Sequence, residues 1–292
     1  ISNIYKNSRT YTRKIIYGGN KMRAYLAFTK KELFELTKTY KLLLIVTVFL
    51  IFGFINPVVA KFTPDLMESL MEEGIKISLP EPTIFDSWSQ FFKNTTQMGL
   101  IILVIIFSGL ISNELSKGTL INMLTKGLSR KTVVLSKFTS STLVWTFTYF
   151  LSALVTFLYS MLFWEDTQVV NLLFSLSLVW VFGIFLISAI ILGGILFKTS
   201  YGSMLFCGVI VGGLLILNII PKVQDYNPIQ LINVNMDILK GDVEISEVIK
   251  SLYSTLGASV LFVISSIVVF CKKIGGSLCI FKIEYFLIDP KY

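Results

Sequence analysis

The residues best placed to do chemistry lie between Glu114 and Lys137. The stretch reads Glu114-Leu115-Ser116-Lys117-Gly118-Thr119-Leu120, continues through Met123 and Leu124 to Ser129-Arg130-Lys131, and closes on Lys137. A carboxylate, several cations, hydroxyls and two glycines at these spacings suit recognition: ion pairing, helix capping and a small apolar patch. A short helix from about Gly118 to Lys126 would bring Leu120, Met123 and Leu124 together as a face able to fill a groove on a partner. Gly127 suits a helix stop, and Ser129 can cap the next helix. Glu114 is expected to pair with Arg130 or with the helix N-terminus. Arg130, Lys131 and Lys137 are expected to meet acidic partner residues or lipid phosphates. The plainer alternative is a basic turn fixed only by membrane sidedness.

Catalytic chemistry has few candidates. The 292 residues contain no histidine, which removes imidazole relays, His-based triads and most zinc sites. No G-x-x-x-x-G-K-[ST] occurs, so the chain has no P-loop to hold ATP, and no G-x-S-x-G marks a serine nucleophile. Cys207, Cys271 and Cys279 have no ligand or redox spacing. The expectation is a chain that is not itself an enzyme and has no catalytic, cofactor or metal residues of its own.

The elements that hold this stretch are apolar. With 54% hydrophobic and 15% charged residues and a mean hydropathy of +0.73, the chain belongs in a bilayer. Six apolar runs are long enough to span it as helices, at about 42–60, 95–112, 138–164, 171–197, 201–220 and 251–271. Gly202, Gly208, Gly212 and Gly213 in the fifth run suggest close helix approach. Asn56-Pro57 is read as a kink or stop near the far end of the first. Ahead of the spans, residues 22–41 carry a stripe of Met22, Leu26, Leu33, Leu36 and Tyr40 opposite Lys31, Glu35 and Lys38, as in an amphipathic interfacial helix. The fold class is therefore an all-α membrane protein with six transmembrane helices and an amphipathic N-terminal helix.

Charge sets the orientation. Of 26 Lys/Arg and 18 Asp/Glu, 20 and 5 fall on the N-terminal side of the membrane, and 6 and 13 on the other. By the positive-inside rule both termini and the 114–137 loop are cytoplasmic. The basic excess thus follows the membrane rather than a nucleic acid. On these span boundaries no charge lies inside a span, which counts against a proton-coupled pump.

Three segments divide the chain: a non-native or disordered extension (1–21), the six-span unit (22–273) and a cytoplasmic tail (274–292). Residues 1–21 carry five basic and no acidic residues. Gly18-Gly19 before Met22 can reflect a purine-rich ribosome-binding sequence, so Met22 is the expected natural start. N-terminal sequencing from the native host tests this. The segments 61–96 and 221–250 are polar, and Asn227-Pro228-Ile229-Gln230-Leu231-Ile232 suits a short helix dipping back at the surface.

The pattern E-x-x-x-G-T-L at Glu114, Gly118, Thr119 and Leu120, followed by Ser129-Arg130 and Lys137 at the start of a long span, resembles the membrane subunit of type 2 ABC exporters. In that family this pattern lies in the first intracellular loop. The resemblance extends to the six spans, the basic amphipathic N-terminal segment and the outer region before the last span, and so covers most of residues 22–273. Lys126-Gly127-Leu128 departs from it, since relatives often have a proline near this turn. The resemblance implies a permease in a bacterial plasma membrane, paired with a copy of itself or a similar permease and surrounded by membrane lipids. It further implies separate ABC ATPase subunits, which bind the ATP and Mg, coupled through Glu114, Gly118, Thr119, Leu120, Met123, Leu124, Ser129, Arg130 and Lys137. The alternative function is a non-transporting membrane scaffold or immunity protein.

Overall fold

A computed structural model describes residues 21–70, 81–125, 127–165 and 169–274. The proposed N-terminal extension and most of the tail lie outside the described residues. Helix α1 covers residues 21–38 and turns through Thr39 and Tyr40 into α2, Lys41–Leu70. Then come α3 (Ile84–Asn94), a π-helical turn (Thr95–Gly99), α4 (Leu100–Ser116) and α5 (Thr119–Thr125). Next are α6 (Arg130–Phe163), α7 (Leu172–Phe197) and α8 (Ser200–Leu217). Three short helices, α9 (Pro221–Gln224), α10 (Gln230–Asn233) and α11 (Asn235–Lys240), precede α12 (Ile245–Ile274). Among the described residues there is no strand, and six helical stretches are long and apolar enough to cross a membrane.

Helix α7 is the centre of the bundle. It is apolar all round, and 89% of its span is buried against 11% for α8, which places it inside the bundle. Helices α4, α6, α8 and α12 pack against it, while α2 packs on α6 and α3. The α6–α7 contact depends on Gly183, where an added Cβ would meet the Trp145 indole at 2.4 Å. Trp145 Nε1 also donates to the Trp180 carbonyl at 3.0 Å.

Several helices outrun the apolar segments that announce them. Pro57 and Pro64 both lie inside α2, so Asn56-Pro57 does not end it. Proline cannot donate to the carbonyl four residues back, and the Thr156 hydroxyl of α6 donates to that Gly53 carbonyl instead, at 3.3 Å. The second span begins at Ile84, inside the segment that reads as polar, because Asp86 closes a capping box with Thr83 while Trp88, Phe91 and Phe92 turn inward. Gly208, Gly212 and Gly213 make no close approach within this chain, since a Cβ on any of them would meet nothing within 4 Å. At the end opposite the 114–137 loop, α10 and α11 pack on α7 through the fully buried Leu231, Ile238 and Leu239.

Candidate functional site

The 114–137 stretch is a helix end, a one-turn bridge and a helix start. Lys117 N–H donates to the Asn113 carbonyl at 3.1 Å as α4 ends, and Gly118 then takes φ +70°. That left-handed conformation suits glycine and strains other residues, and it lets α5 fold back against α4. At the other end Gly127 has φ +93°, with its N–H on Leu124 O at 3.1 Å and Leu128 N–H on Met123 O at 3.3 Å. These bonds satisfy the last carbonyls of α5, as expected of a glycine stop. The Ser129 hydroxyl oxygen accepts from Thr132 N–H at 3.1 Å, capping α6.

Glu114 and Lys137 meet at the heart of this corner, together with α1. Lys137 Nζ lies 2.8 Å from Glu32 Oε2, 2.8 Å from Glu114 Oε2 and 2.9 Å from the Leu110 carbonyl. The ammonium donates to Glu32 Oε2 and to the Leu110 carbonyl, and its contact with Glu114 Oε2 is an ion pair. Lys31 closes the group, 3.0 Å from Glu114 Oε1, 3.1 Å from Glu32 Oε1 and 2.5 Å from Glu35 Oε2. The Lys137 and Glu32 side chains are only 1% and 3% exposed, so the pair is removed from water. Partial burial works against the charge on Lys31, yet Glu35, Glu32 and Glu114 outweigh it and hold its pKa above that of an ordinary lysine.

This arrangement corrects two expectations. Glu114 pairs with Lys137 and Lys31 instead of the expected Arg130 or helix N-terminus. Charge does lie within the span helices, because α4 continues to Ser116 and α6 starts at Arg130, beyond the limits of the apolar runs. These charges sit at the helix ends and are paired, unlike the lone mid-membrane acid of a proton relay. Carboxylate oxygens of Glu32, Glu35 and Glu114 lie within 4.8 Å of one another, a spacing that could hold a metal ion. The Lys31 and Lys137 ammoniums already bind these carboxylates as the counter-cations.

The remaining predicted residues divide by depth. Leu120 is wholly buried in this chain's own core, whereas Met123 and Leu124 are half-buried against it. The face expected to enter a partner's groove is thus turned largely inward, and Leu120 anchors α5. Thr119, Ser129 and Lys131 are exposed, and Arg130 is half-buried. Leu124, Gly127, Leu128, Arg130 and Lys131 line a groove of about 870 Å³ that also touches Met22 and Tyr25 of α1.

Glu32 is the member of this cluster that sequence reasoning missed, and Lys31, expected on the polar face of the N-terminal helix, is drawn into it. The buried residues of α1 are Phe28, Thr29, Glu32 and Leu36, with Tyr25 half-buried; of the expected stripe Leu36 is buried and Leu33 half-buried, whereas Met22, Leu26 and Tyr40 are exposed. The helical spacing of 25, 28, 32 and 36 was a usable signal. A lone carboxylate within that spacing calls for a buried cation.

A family model described as "ABC-2 family transporter protein" matches residues 33–213, which take in the 114–137 stretch, the first four spans and most of the fifth. The chain is also similar to the "Uncharacterized transmembrane protein YxlG" of Bacillus subtilis (strain 168). Identity is 24% over 194 residues, covering 64% of this chain and 73% of that protein.

Proposed function

The chain belongs to the ABC-2 family of transporter proteins, and from that premise we propose that it is the permease subunit of an ATP-driven exporter. It has no ATP site of its own and works through a separate ABC ATPase docked at the 114–137 corner. The membrane is the plasma membrane of a bacterium, with this corner and both termini cytoplasmic, a reading supported by the charge asymmetry.

The observation that carries the proposal is the ionic cluster. Glu114, at the head of the motif, is tied through Lys137 to the second turn of α6 and through Lys31 to α1. A push on α5 therefore reaches three helices as one body. It reaches a fourth because Ser200 Oγ, at the start of α8, donates to Asn113 Oδ1 at 2.9 Å. The groove lined by Leu124, Leu128, Arg130 and Lys131 is the surface an ATPase would occupy, with apolar contact at its floor and cations for acidic partner groups. ATP can bias the bundle only if the ATPase contacts this corner differently in its open and closed states.

The test is to co-express the chain with an ABC ATPase from the same genome and measure co-purification and transport-coupled hydrolysis. Leu124→Asp is expected to weaken co-purification, and Glu114→Ala to leave the complex assembled but hydrolysis uncoupled. Wild-type coupling in both variants would overturn the proposal and favour a non-transporting scaffold.

A further inference from the structure

A second feature of the same end of the bundle is an open cleft of about 450 Å³ between α1, the start of α2, the end of α4 and α5. Its carboxylates are already engaged, since Glu35 pairs with Lys31, and Glu32 and Glu114 each pair with both Lys31 and Lys137. Two further lysines line the cleft, Lys41 and Lys117, and among the described residues no carboxylate lies within ion-pair distance of either. The cleft and the Lys137 ammonium beneath it together hold four cations against three carboxylates, and the two cations without an ion-pair partner face the opening.

The place of these lysines in the fold indicates the occupant. Lys41 is the first residue of α2 and Lys117 directly follows α4, so both mark the level at which two spans leave the membrane. The cleft is lined on its apolar side by Leu36, Leu110 and Met123. Cations beside apolar wall at interfacial depth match an amphiphile better than a free anion. Beside Lys41, Tyr40 is held at φ +57°, a left-handed conformation unusual for a bulky residue. This sharp elbow folds α1 back along the bundle, so that α1 forms one wall of the cleft.

We propose that this cleft binds the headgroup of an anionic phospholipid, its phosphate between Lys41 and Lys117 and the top of an acyl chain against Leu36, Leu110 and Met123. A lipid seated there would brace α1 against α4 and α5. The proposal concerns lipid binding alone and stands whether or not the coupling role holds.

The experiment uses the full chain purified in detergent and titrated separately with phosphatidylglycerol, phosphatidylcholine and inorganic phosphate. Native mass spectrometry counts retained lipid and thermal unfolding reports stabilisation. Phosphatidylglycerol is expected to bind and raise the unfolding temperature, with little effect from the other two. The Lys41→Gln/Lys117→Gln variant is expected to bind it more weakly by on the order of tenfold. Lys117→Gln alone, on an exposed turn, is expected to show part of that loss and guards against a folding defect. Lys30→Gln/Lys38→Gln, which alters exposed α1 lysines outside the cleft, is expected to bind normally. An equal response to phosphatidylcholine, a full response to inorganic phosphate, or undiminished binding by both cleft variants would overturn the proposal.

Discussion

At the scale of single residues, the Lys137 ammonium decides the state of this corner. A buried ion pair gives little net stability compared with a well-packed apolar substitute, yet removing one partner strands the other charge. Lys137→Met leaves Glu32 and Glu114 sharing only the partly exposed Lys31, and is expected to cost about 3 kcal/mol. Adding Glu32→Gln and Glu114→Gln to that variant should restore much of the loss, because no stranded charge remains. Denaturant unfolding in detergent measures both, and equal instability of the single and triple variants would show that packing dominates. Lys31 contributes with a definite sign. Its folded pKa is raised, so its stabilisation is complete below the unfolded lysine value of about 10.4 and fades only as pH rises through the higher folded value. The stability gap between wild type and Lys31→Gln should accordingly stay flat from mildly acidic to mildly alkaline pH.

At the scale of elements, the spans were legible wherever their side chains are uniformly apolar, and their ends were not. Hydropathy falls at Ser112 and at Phe138, but a helix is held by backbone hydrogen bonds and caps, so α4 runs on to Ser116 and α6 begins at the Ser129 cap. That difference hid the burial of Glu114 and Lys137. The caps were readable, because Gly127 and Ser129 act through local geometry alone, whereas Glu32 required knowing which face of α1 meets α6. Gly118 and Gly127 give a clean test of the local part: neither would bring a Cβ within 4 Å of another atom. Alanine at either site should therefore cost only backbone strain, about 1–2 kcal/mol. Pro57, inside α2, gives a tertiary test. Thr156→Val removes the donor to Gly53 O and should cost about 1 kcal/mol, and this cost should disappear in a Pro57→Ala background, where a backbone N–H takes over. A double-mutant cycle in unfolding free energy measures the coupling, and additive effects would mean that the 3.3 Å contact does not compensate for Pro57.

At the scale of the whole molecule, the uneven burial of the spans is the main fact left by a single chain. Helix α8 packs on α7 and α4 through one side only and turns Tyr201, Leu205, Val209 and Ile216 outward. Gly208, Gly212 and Gly213 open onto free space. In lipid, apolar exposure alone has no cost, so such a face can simply meet acyl chains. Glycines that open onto free space would also admit a second helix, so α8 is where a paired permease of the kind proposed would pack. Fold and assembly can be separated with two glycine sites. Gly183→Ala drives a methyl into Trp145 and should destabilise the isolated chain by about 1–3 kcal/mol. Gly208→Leu/Gly212→Leu should leave unfolding of the isolated chain unchanged while reducing the dimer fraction in membranes, read by cross-linking through a cysteine at Val209. An unchanged dimer fraction would place the partner on another face, and a loss of monomer stability would mean that α8 packs more tightly within the chain than its open glycines indicate.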